Sequence, residues 1–255
     1  MSNESVQLIY PSDEIVKNAA VSGMDAYKAL CAEAEADYEG FWAKRAREFI
    51  TWKTPFTQTL DESNAPFFKW FADGKLNVSY NCLDRNVEAG LGDKVAIIFE
   101  ADNGEVTKVT YKELLVKVCK MANLLKSKGV KKGDRVVIYL PMTVEGIVAM
   151  QACARIGAIH SVVFGGFAPP ELAVRIDDST PKAMISASCG IEIKRVIEYK
   201  PLLDKAIELA NHKPQSCIIF QRPQATAKLI EGRDYDWHEL MAKAQPADCV
   251  PVKGS

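Results

Sequence analysis

The sequence has no clusters of cysteine or histidine. Its seven cysteines are scattered and never occur in C-x-x-C spacing, and none of its three histidines has another histidine four residues away. A disulfide framework or a zinc site would bring such residues together along the chain. We therefore predict a protein of the reducing cytoplasm, with free cysteines and no metal site.

The sequence also lacks an excess of either charge and any long apolar run. Its 32 Lys and Arg residues nearly balance its 33 Asp and Glu residues, which leaves a net charge of −1. This balance favours neither nucleic acid nor an anionic membrane as a partner. No segment approaches the ~18 consecutive apolar residues of a membrane span, and residues 1–5 lack the basic and apolar regions of a signal peptide. We expect small-molecule ligands, with no nucleic-acid or membrane partner.

Three common site signatures are missing as well. The sequence contains no G-x-G-x-x-G, no G-x-x-x-x-G-K-[ST] and no G-x-S-x-G. Neither a dinucleotide fingerprint nor a phosphate-binding P-loop is therefore supported, and the simplest serine hydrolase is excluded.

From about residue 94, short apolar segments alternate with helical patterns. Residues 95–99 form a continuous apolar run of the kind expected for a strand buried on both faces, and residues 102–104 (DNG) predict a tight hairpin from it to 106–110. Thr110 with Glu113 forms a capping box that begins a helix. This alternation predicts an α/β fold with a doubly wound, mostly parallel sheet flanked by helices. The predicted strands are 95–99, 106–110, 136–140, 161–164, 183–187 and, as the last, 217–220; the predicted helices are the one that Gly129 ends, 144–156, 169–176, 201–210 and 237–244.

The segment before this alternation has a different character. Residues 1–50 predict loosely packed helices. Residues 52–79 combine aromatic side chains with prolines, which favours an extended strap over a nucleic-acid platform because no basic groove accompanies the aromatic residues. We predict an N-terminal helical and extended decoration over residues 1–90 and an α/β domain over residues 91–255.

The segment at 152–167 carries the strongest indication of a ligand. A helix ends at Gly157, a short strand follows, and Gly165 and Gly166 come at the carboxyl end of that strand. Open α/β sheets bind ligands at this edge, and adjacent glycines allow close backbone approach and positive φ. By themselves the two glycines are also compatible with a simple strand-to-helix turn. His160, between an apolar helix end and a strand, is predicted to be a core residue.

A second candidate lies beyond the strand at 183–187. Lys194 and Arg195 follow it at the same edge of the sheet, where a guanidinium can hold a phosphate through two hydrogen bonds. The alternative is an exposed basic face, with Glu192 in a local salt bridge that contributes little at a surface.

Several segments, taken together, resemble one enzyme family. They are 52–61 (WKTPFTQTLD), 70–71 (WF), 81–85 (NCLDR), 109–114 (VTYKEL), 133–136 (GDRV) and 152–167 (ACARIGAIHSVVFGGF). The combination is similar to the acetyl-CoA and propionyl-CoA synthetases, which are short-chain acyl-CoA synthetases of the adenylate-forming, AMP-binding superfamily. Segments 186–192 (SASCGIE) and 199–204 (YKPLLD) lean towards the propionyl-CoA branch.

The resemblance implies a two-step ligase reaction in a much longer enzyme. A carboxylate attacks ATP, with Mg²⁺ assisting, to give an acyl-adenylate and pyrophosphate; the thiol of coenzyme A then displaces AMP. In the family, the phosphate loop, the carboxylate pocket and the catalytic lysine come after the region that this chain matches. We therefore expect an N-terminal part that is inactive by itself, with no catalytic residue, no metal ligand and no tightly bound cofactor, whose partner is the remainder of its own chain.

The resemblance also implies a coenzyme A role for six positions: Phe164, Gly165 and Gly166 beside the nucleotide, and Glu192, Lys194 and Arg195 in a loop near the 3′-phosphate. Glu192 stands where the family usually has the first of two arginines. A carboxylate repels a phosphate, so either Lys194 takes over the contact or coenzyme A binds differently. Acetate and propionate both remain open as substrates. The alternative from another class is a free-standing flavodoxin-like nucleotide-binding or regulatory domain.

Overall fold

A computed structural model describes residues 8–192 and 195–245. The chain divides into two units. The first holds the residues up to Ile50 together with Phe56–Asp73, and the second holds Thr51–Pro55 and the chain from Gly74 onward. The predicted domain boundary at residue 90 stays a prediction. Among the described residues, no helix is both long enough and apolar enough to span a lipid bilayer.

The first unit is built from three helices and a small antiparallel ladder. Its elements are α1 (Asp13–Asn18), α2 (Gly23–Ala36), α3 (Tyr38–Phe49), β1 (Leu60–Asp61) and β2 (Lys69–Trp70). Only α3 has buried residues, and Phe56 packs against Phe71 with ring centroids 4.5 Å apart. The side chain of Asp73 accepts hydrogen bonds from Thr57. These features agree with the helices and extended segments predicted for this part of the chain; its role as a decoration stays a prediction.

The second unit alternates strands and helices. Its strands are β3 (Val95–Glu100), β4 (Val106–Thr110), β5 (Arg135–Tyr139), β6 (Ile159–Val162), β7 (Ala183–Ala187), β8 (Cys189–Glu192), β9 (Arg195–Glu198), β10 (Ser216–Phe220) and β11 (Asp234–Asp236). Its helices are α4 (Tyr111–Ser127), α5 (Val144–Ile156), α6 (Pro169–Ser179), α7 (Tyr199–Leu209) and α8 (Trp237–Lys243), and two short π-helical turns, Tyr80–Asp84 and Val87–Leu91, precede them.

The central sheet is parallel and covered on both faces. Its strand order is β11-β10-β7-β5-β6. Alternate side chains of β5 point to opposite faces: Val136 and Ile138 pack in the core that includes α4, α5 and α8, whereas Val137 and Tyr139 pack in the core that includes α6 and α7. The predicted doubly wound sheet is confirmed, because β6 and β7 lie on opposite sides of β5 and the chain reverses its direction across the sheet there.

Local signals place most element ends correctly. The Thr110 hydroxyl accepts from the Glu113 amide while the Glu113 carboxylate accepts from the Thr110 amide, so the predicted capping box is present. Gly157 ends α5 at φ 71°, a left-handed conformation that favours glycine. The strand predicted at 161–164 begins two residues earlier, at Ile159.

Two strand predictions are wrong. Residues 95–99 are a strand, and the predicted hairpin with 106–110 is confirmed by the antiparallel pairing of β3 with β4. The predicted burial of this strand on both faces is wrong, because Ile98 is 68% exposed. An apolar run is buried on both faces only inside a covered sheet, and this hairpin packs on one side alone. The strand predicted at 217–220 is present as β10, but it is not the last strand, because β11 follows and pairs beside it. The β11 sequence Asp-Tyr-Asp has no apolar alternation. This strand is held in place by its pairing with β10 and by the ion pairs of Asp234 with Lys200 and Arg233.

Candidate functional site

A cavity of about 1290 Å³ opens at the carboxyl edge of the central sheet. Its walls come from the segments that follow β5, β6 and β10, from the β3–β4 hairpin and from the end of β8. The edge between β5 and β7, where the chain reverses across the sheet, is where ligands bind in open α/β folds. Four of the six residues predicted to contact coenzyme A line this cavity: Phe164, Gly165, Gly166 and Glu192.

Gly165 is required by a neighbouring side chain. A Cβ at this position would lie 2.3 Å from the Tyr199 hydroxyl oxygen, closer than real contacts allow. Neither Gly165 nor Gly166 has a positive φ, so the conformational reason offered for this pair is wrong. At Gly166 the three atoms nearest to a Cβ would belong to the Phe164 ring, the closest at 2.7 Å, and that ring is 72% exposed, so it has room to shift towards solvent.

Two buried tyrosines support the turn from beneath. The hydroxyl of Tyr139 lies 3.2 Å from the Gly165 carbonyl oxygen and 3.0 Å from the Phe167 carbonyl oxygen, and it shares its one proton between these two acceptors. Its ring stacks on Tyr199 with centroids 5.0 Å apart. Burial, reinforced by Tyr199, raises the pKa of Tyr139 to about 12, so the hydroxyl keeps its proton at any physiological pH.

Tyr199 fills the space between two glycines. A Cβ at Gly190 would lie 2.7 Å from its ring, and one at Gly165 would collide with its hydroxyl. Burial raises the pKa of Tyr199 and nearby Glu192 raises it further, while Arg222 acts in the opposite direction. Sequence reasoning missed this residue, because only the fold brings segments 165, 190 and 199 together.

Lys200, next to Tyr199, anchors the start of α7 in a buried ion network. Its Nζ lies 2.6 Å from an Asp204 carboxylate oxygen and 2.8 Å from an Asp234 carboxylate oxygen, and the Lys200 and Asp234 side chains are 3% and 0% exposed. Arg233 pairs with both aspartates. Burial opposes ionisation of Asp234, but hydrogen bonds from Arg233 and Lys200 outweigh it and lower its pKa. Lys200 and Asp204 stand four residues apart on a helix, which is a signal that the sequence contained.

Arg222 was also missed by sequence reasoning. It follows β10 and lines the cavity. Its amide donates to the Ser188 hydroxyl at 2.8 Å, and its guanidinium Nη1 donates to the Cys189 carbonyl at 3.2 Å. An arginine two residues beyond a predicted buried strand was the available signal.

The loop predicted near the 3′-phosphate is the tip of the β8–β9 hairpin. Glu192 and Arg195 face each other across it, with 3.6 Å between guanidinium and carboxylate, and their side chains are 48% and 76% exposed. Glu192 lines the cavity, whereas Arg195 is not among the lining residues. Lys194 lies outside the described residues. The binding roles of these positions stay predictions.

His160 is not a core residue, and that prediction is wrong. It lies on β6, the edge strand of the sheet, and is exposed. In the part of the chain that the structure describes, no group of His, Cys, Asp or Glu is arranged to hold a metal ion.

Comparison with known proteins gives two family matches and several curated relatives. The AMP-binding enzyme family matches residues 83–252, and the acetyl-coenzyme A synthetase N-terminus matches residues 27–82. The acetyl-coenzyme A synthetase of Cupriavidus pinatubonensis is 54% identical over 95% of this chain and 37% of its own length. Those of Ralstonia pickettii and Thiobacillus denitrificans are 52% and 53% identical over 96% and 95% of this chain. The chain spans about 37% of the length of each of these three relatives.

Proposed function

Since the chain belongs to the AMP-binding enzyme family, we propose that the complete protein is an ATP-dependent short-chain acyl-CoA synthetase. A carboxylate displaces pyrophosphate from ATP and forms an acyl-adenylate. The thiol of coenzyme A then attacks the acyl carbon, and AMP leaves. The observation that carries this proposal is the 54% identity to an acetyl-coenzyme A synthetase over 95% of the chain.

The cavity at the carboxyl edge is proposed to hold part of the coenzyme A. It is an open groove about 1290 Å³ in volume, large enough for part of a nucleotide ligand, and the Phe164–Gly166 turn forms one of its walls. Phe164, Gly165 and Gly166 would lie along the nucleotide. Glu192, Lys194 and Arg195 would lie at its outer end.

The proposal also covers the carboxylate substrate and the cofactors. Acetate is favoured by the names of the relatives, and propionate by the segments 186–192 and 199–204. Mg²⁺ would assist the first step through the charge of the ATP phosphates. We also propose a cytoplasmic location, because scattered cysteines are typical of a reducing compartment. The remainder of the chain would supply the adenylating residues.

The test is a comparison of half-reactions in the complete protein. Carboxylate-dependent exchange of pyrophosphate into ATP reports the first step, and thioester formation reports both. We expect exchange with acetate or propionate, with the preferred acid showing the higher kcat/KM, and thioester only when coenzyme A is added. Residues 1–255 alone should show no exchange. A complete protein that neither exchanges pyrophosphate nor forms a thioester with either acid would contradict the proposal.

One structural observation favours a second candidate, a flavodoxin-like nucleotide-binding domain. Numbered from the first parallel strand, the observed order β6-β5-β7-β10-β11 is 2-1-3-4-5, which is the flavodoxin-like order. On this candidate the chain would bind a nucleotide by itself at the β5–β7 edge without any carboxylate-dependent chemistry. Tight binding of a nucleotide to residues 1–255, together with no exchange by the complete protein, would favour it.

A further inference from the structure

Most of the charged residues that line the cavity are acidic. The carboxylates of Glu100, Asp102, Glu105 and Glu192 all belong to lining residues. Arg222 is the one cationic side chain among the described residues that line it. A phosphate entering this cavity would therefore be attracted to one place and repelled from the others.

The Arg222 guanidinium is held in position by the sheet. The amide and Nη1 of Arg222 are bound by Ser188 and by the Cys189 carbonyl, at the point where β7 passes into β8. In the described part of the chain, Nε and Nη2 donate to no protein acceptor. Those two nitrogens form one edge of the fork, which matches two oxygens of a phosphate.

Arg195 is placed differently. Its side chain is 76% exposed, faces Glu192 at 3.6 Å and does not line the cavity. Solvent screens such a side chain, so its attraction for an anion is weak. Arg222 is half-buried beside Tyr199, where the same charge is screened less.

We infer that Arg222 is the residue that binds a phosphate of coenzyme A in this cavity. The inference rests on the proposed function and adds to it a contact that the family resemblance did not indicate. The phosphate is either the 3′-phosphate or one of the diphosphate, since both present the same pair of oxygens to the guanidinium.

The experiment measures both half-reactions of the complete protein in three variants. Arg222→Gln removes the charge, Arg222→Lys keeps the charge and loses the fork, and Lys205→Gln removes an exposed charge on α7 and is the control. Substrates are coenzyme A and the same molecule without its 3′-phosphate. Thermal melting of each variant is recorded as well.

We expect Arg222→Gln to raise the KM for coenzyme A about tenfold or more, as for loss of a hydrogen bond to a charged group, and to leave pyrophosphate exchange within about twofold. Arg222→Lys should fall between it and the unmodified protein. An effect on coenzyme A alone identifies the 3′-phosphate, and an equal effect on both thiols identifies the diphosphate.

An unchanged KM for both thiols, with exchange intact, would overturn the inference and leave the proposed function standing. Equal loss of exchange and thioester formation at an unchanged melting temperature would overturn it too, because the residue would then act on adenylation. If Arg222→Gln unfolds, Arg222→Lys decides by the same KM criterion. An unmodified protein without exchange would count against the proposed function instead.

Discussion

The turn at residues 164–167 and the tip of the β8–β9 hairpin lie at the same edge of the sheet, yet they are built in opposite ways. The turn rests on Tyr139 and Tyr199, both buried, and a Cβ at Gly165 has no room. The hairpin tip pairs Glu192 with Arg195 across 3.6 Å in solvent. The resemblance assigned both segments to one ligand, but the turn rests on buried side chains, whereas Glu192 and Arg195 are exposed.

This difference indicates which ligand contacts are preorganised. A buried support holds a segment in place before binding, so little conformational entropy is lost on association. An exposed ion pair between long side chains contributes at most about 1 kcal/mol and is screened by salt. Substitutions beneath the turn should therefore have larger effects than substitutions at the hairpin tip.

The largest effect is expected for Lys200→Met, which removes the buried cation at the start of α7, beside Tyr199. Asp234 would keep Arg233 and the Ile230 amide but lose one partner, so we expect a loss of about 3 kcal/mol in the free energy of unfolding, at the lower end for breaking a buried pair. Urea unfolding measures it. Lys205→Met, on the exposed side of the same helix, is the matched control and should change stability by less than about 0.5 kcal/mol.

The same substitution should change the response to acid. The pKa of Asp234 is lower in the folded protein than its ordinary value of about 4. This group therefore contributes its full stability above pH 4, and the contribution is lost as the pH falls through the lower folded value. In Lys200→Met the pKa should be lowered less, so the acid-dependent loss should shrink. An unchanged dependence below pH 4 would show that Lys200 does not act on Asp234.

Gly165→Ala should come next, with Gly166→Ala as its control. The new Cβ at 165 meets the Tyr199 hydroxyl at 2.3 Å, whereas the three atoms nearest to that at 166 belong to the exposed Phe164 ring. Overpacking of this kind costs about 1–3 kcal/mol. We expect Gly165→Ala to lower the melting temperature and to raise the KM for coenzyme A, and Gly166→Ala to be nearly neutral in stability.

Adding Tyr199→Phe to Gly165→Ala removes the closest clashing atom and should restore part of the loss. The Tyr199 ring carbons would still lie 3.0–3.1 Å from the new methyl group, so recovery should be incomplete. If both alanine substitutions lowered stability equally, and the double variant showed no recovery, contact with Tyr199 would not be the reason for glycine at 165.

The smallest effect is expected for Arg195→Ala. Its guanidinium is exposed and, among the described residues, forms an ion pair with Glu192 alone. We therefore expect the KM for coenzyme A to rise by a few fold at low salt, less than for Arg222→Gln, and the difference to fade at high salt. Pyrophosphate exchange should be spared. A rise in KM larger than that of Arg222→Gln would reverse the comparison between the two arginines.

Much of the fold was predictable, because local patterns and tertiary contacts agree there. The strand at 183–187 was placed to the residue, and the helix at 144–156 ends where Gly157 adopts positive φ. β11 was not predictable, since its acidic sequence is held by its neighbour β10 and by Lys200 and Arg233. The predicted burial of 95–99 on both faces failed because an apolar run does not show whether the hairpin it forms is covered on one face or on two.

The sequence by itself determined most of the strands and helices, the parallel sheet and the family, because periodicity, helix caps and family motifs can all be recognised along the chain. Only the tertiary structure decided what lies beneath Gly165 and what charge lies inside the cavity. Tyr139, Gly165, Gly190, Tyr199 and Arg222 are 83 residues apart from first to last, and long-range packing brings them to one edge. Steric exclusion and screening act through distance in space, and separation along the chain does not reveal that distance.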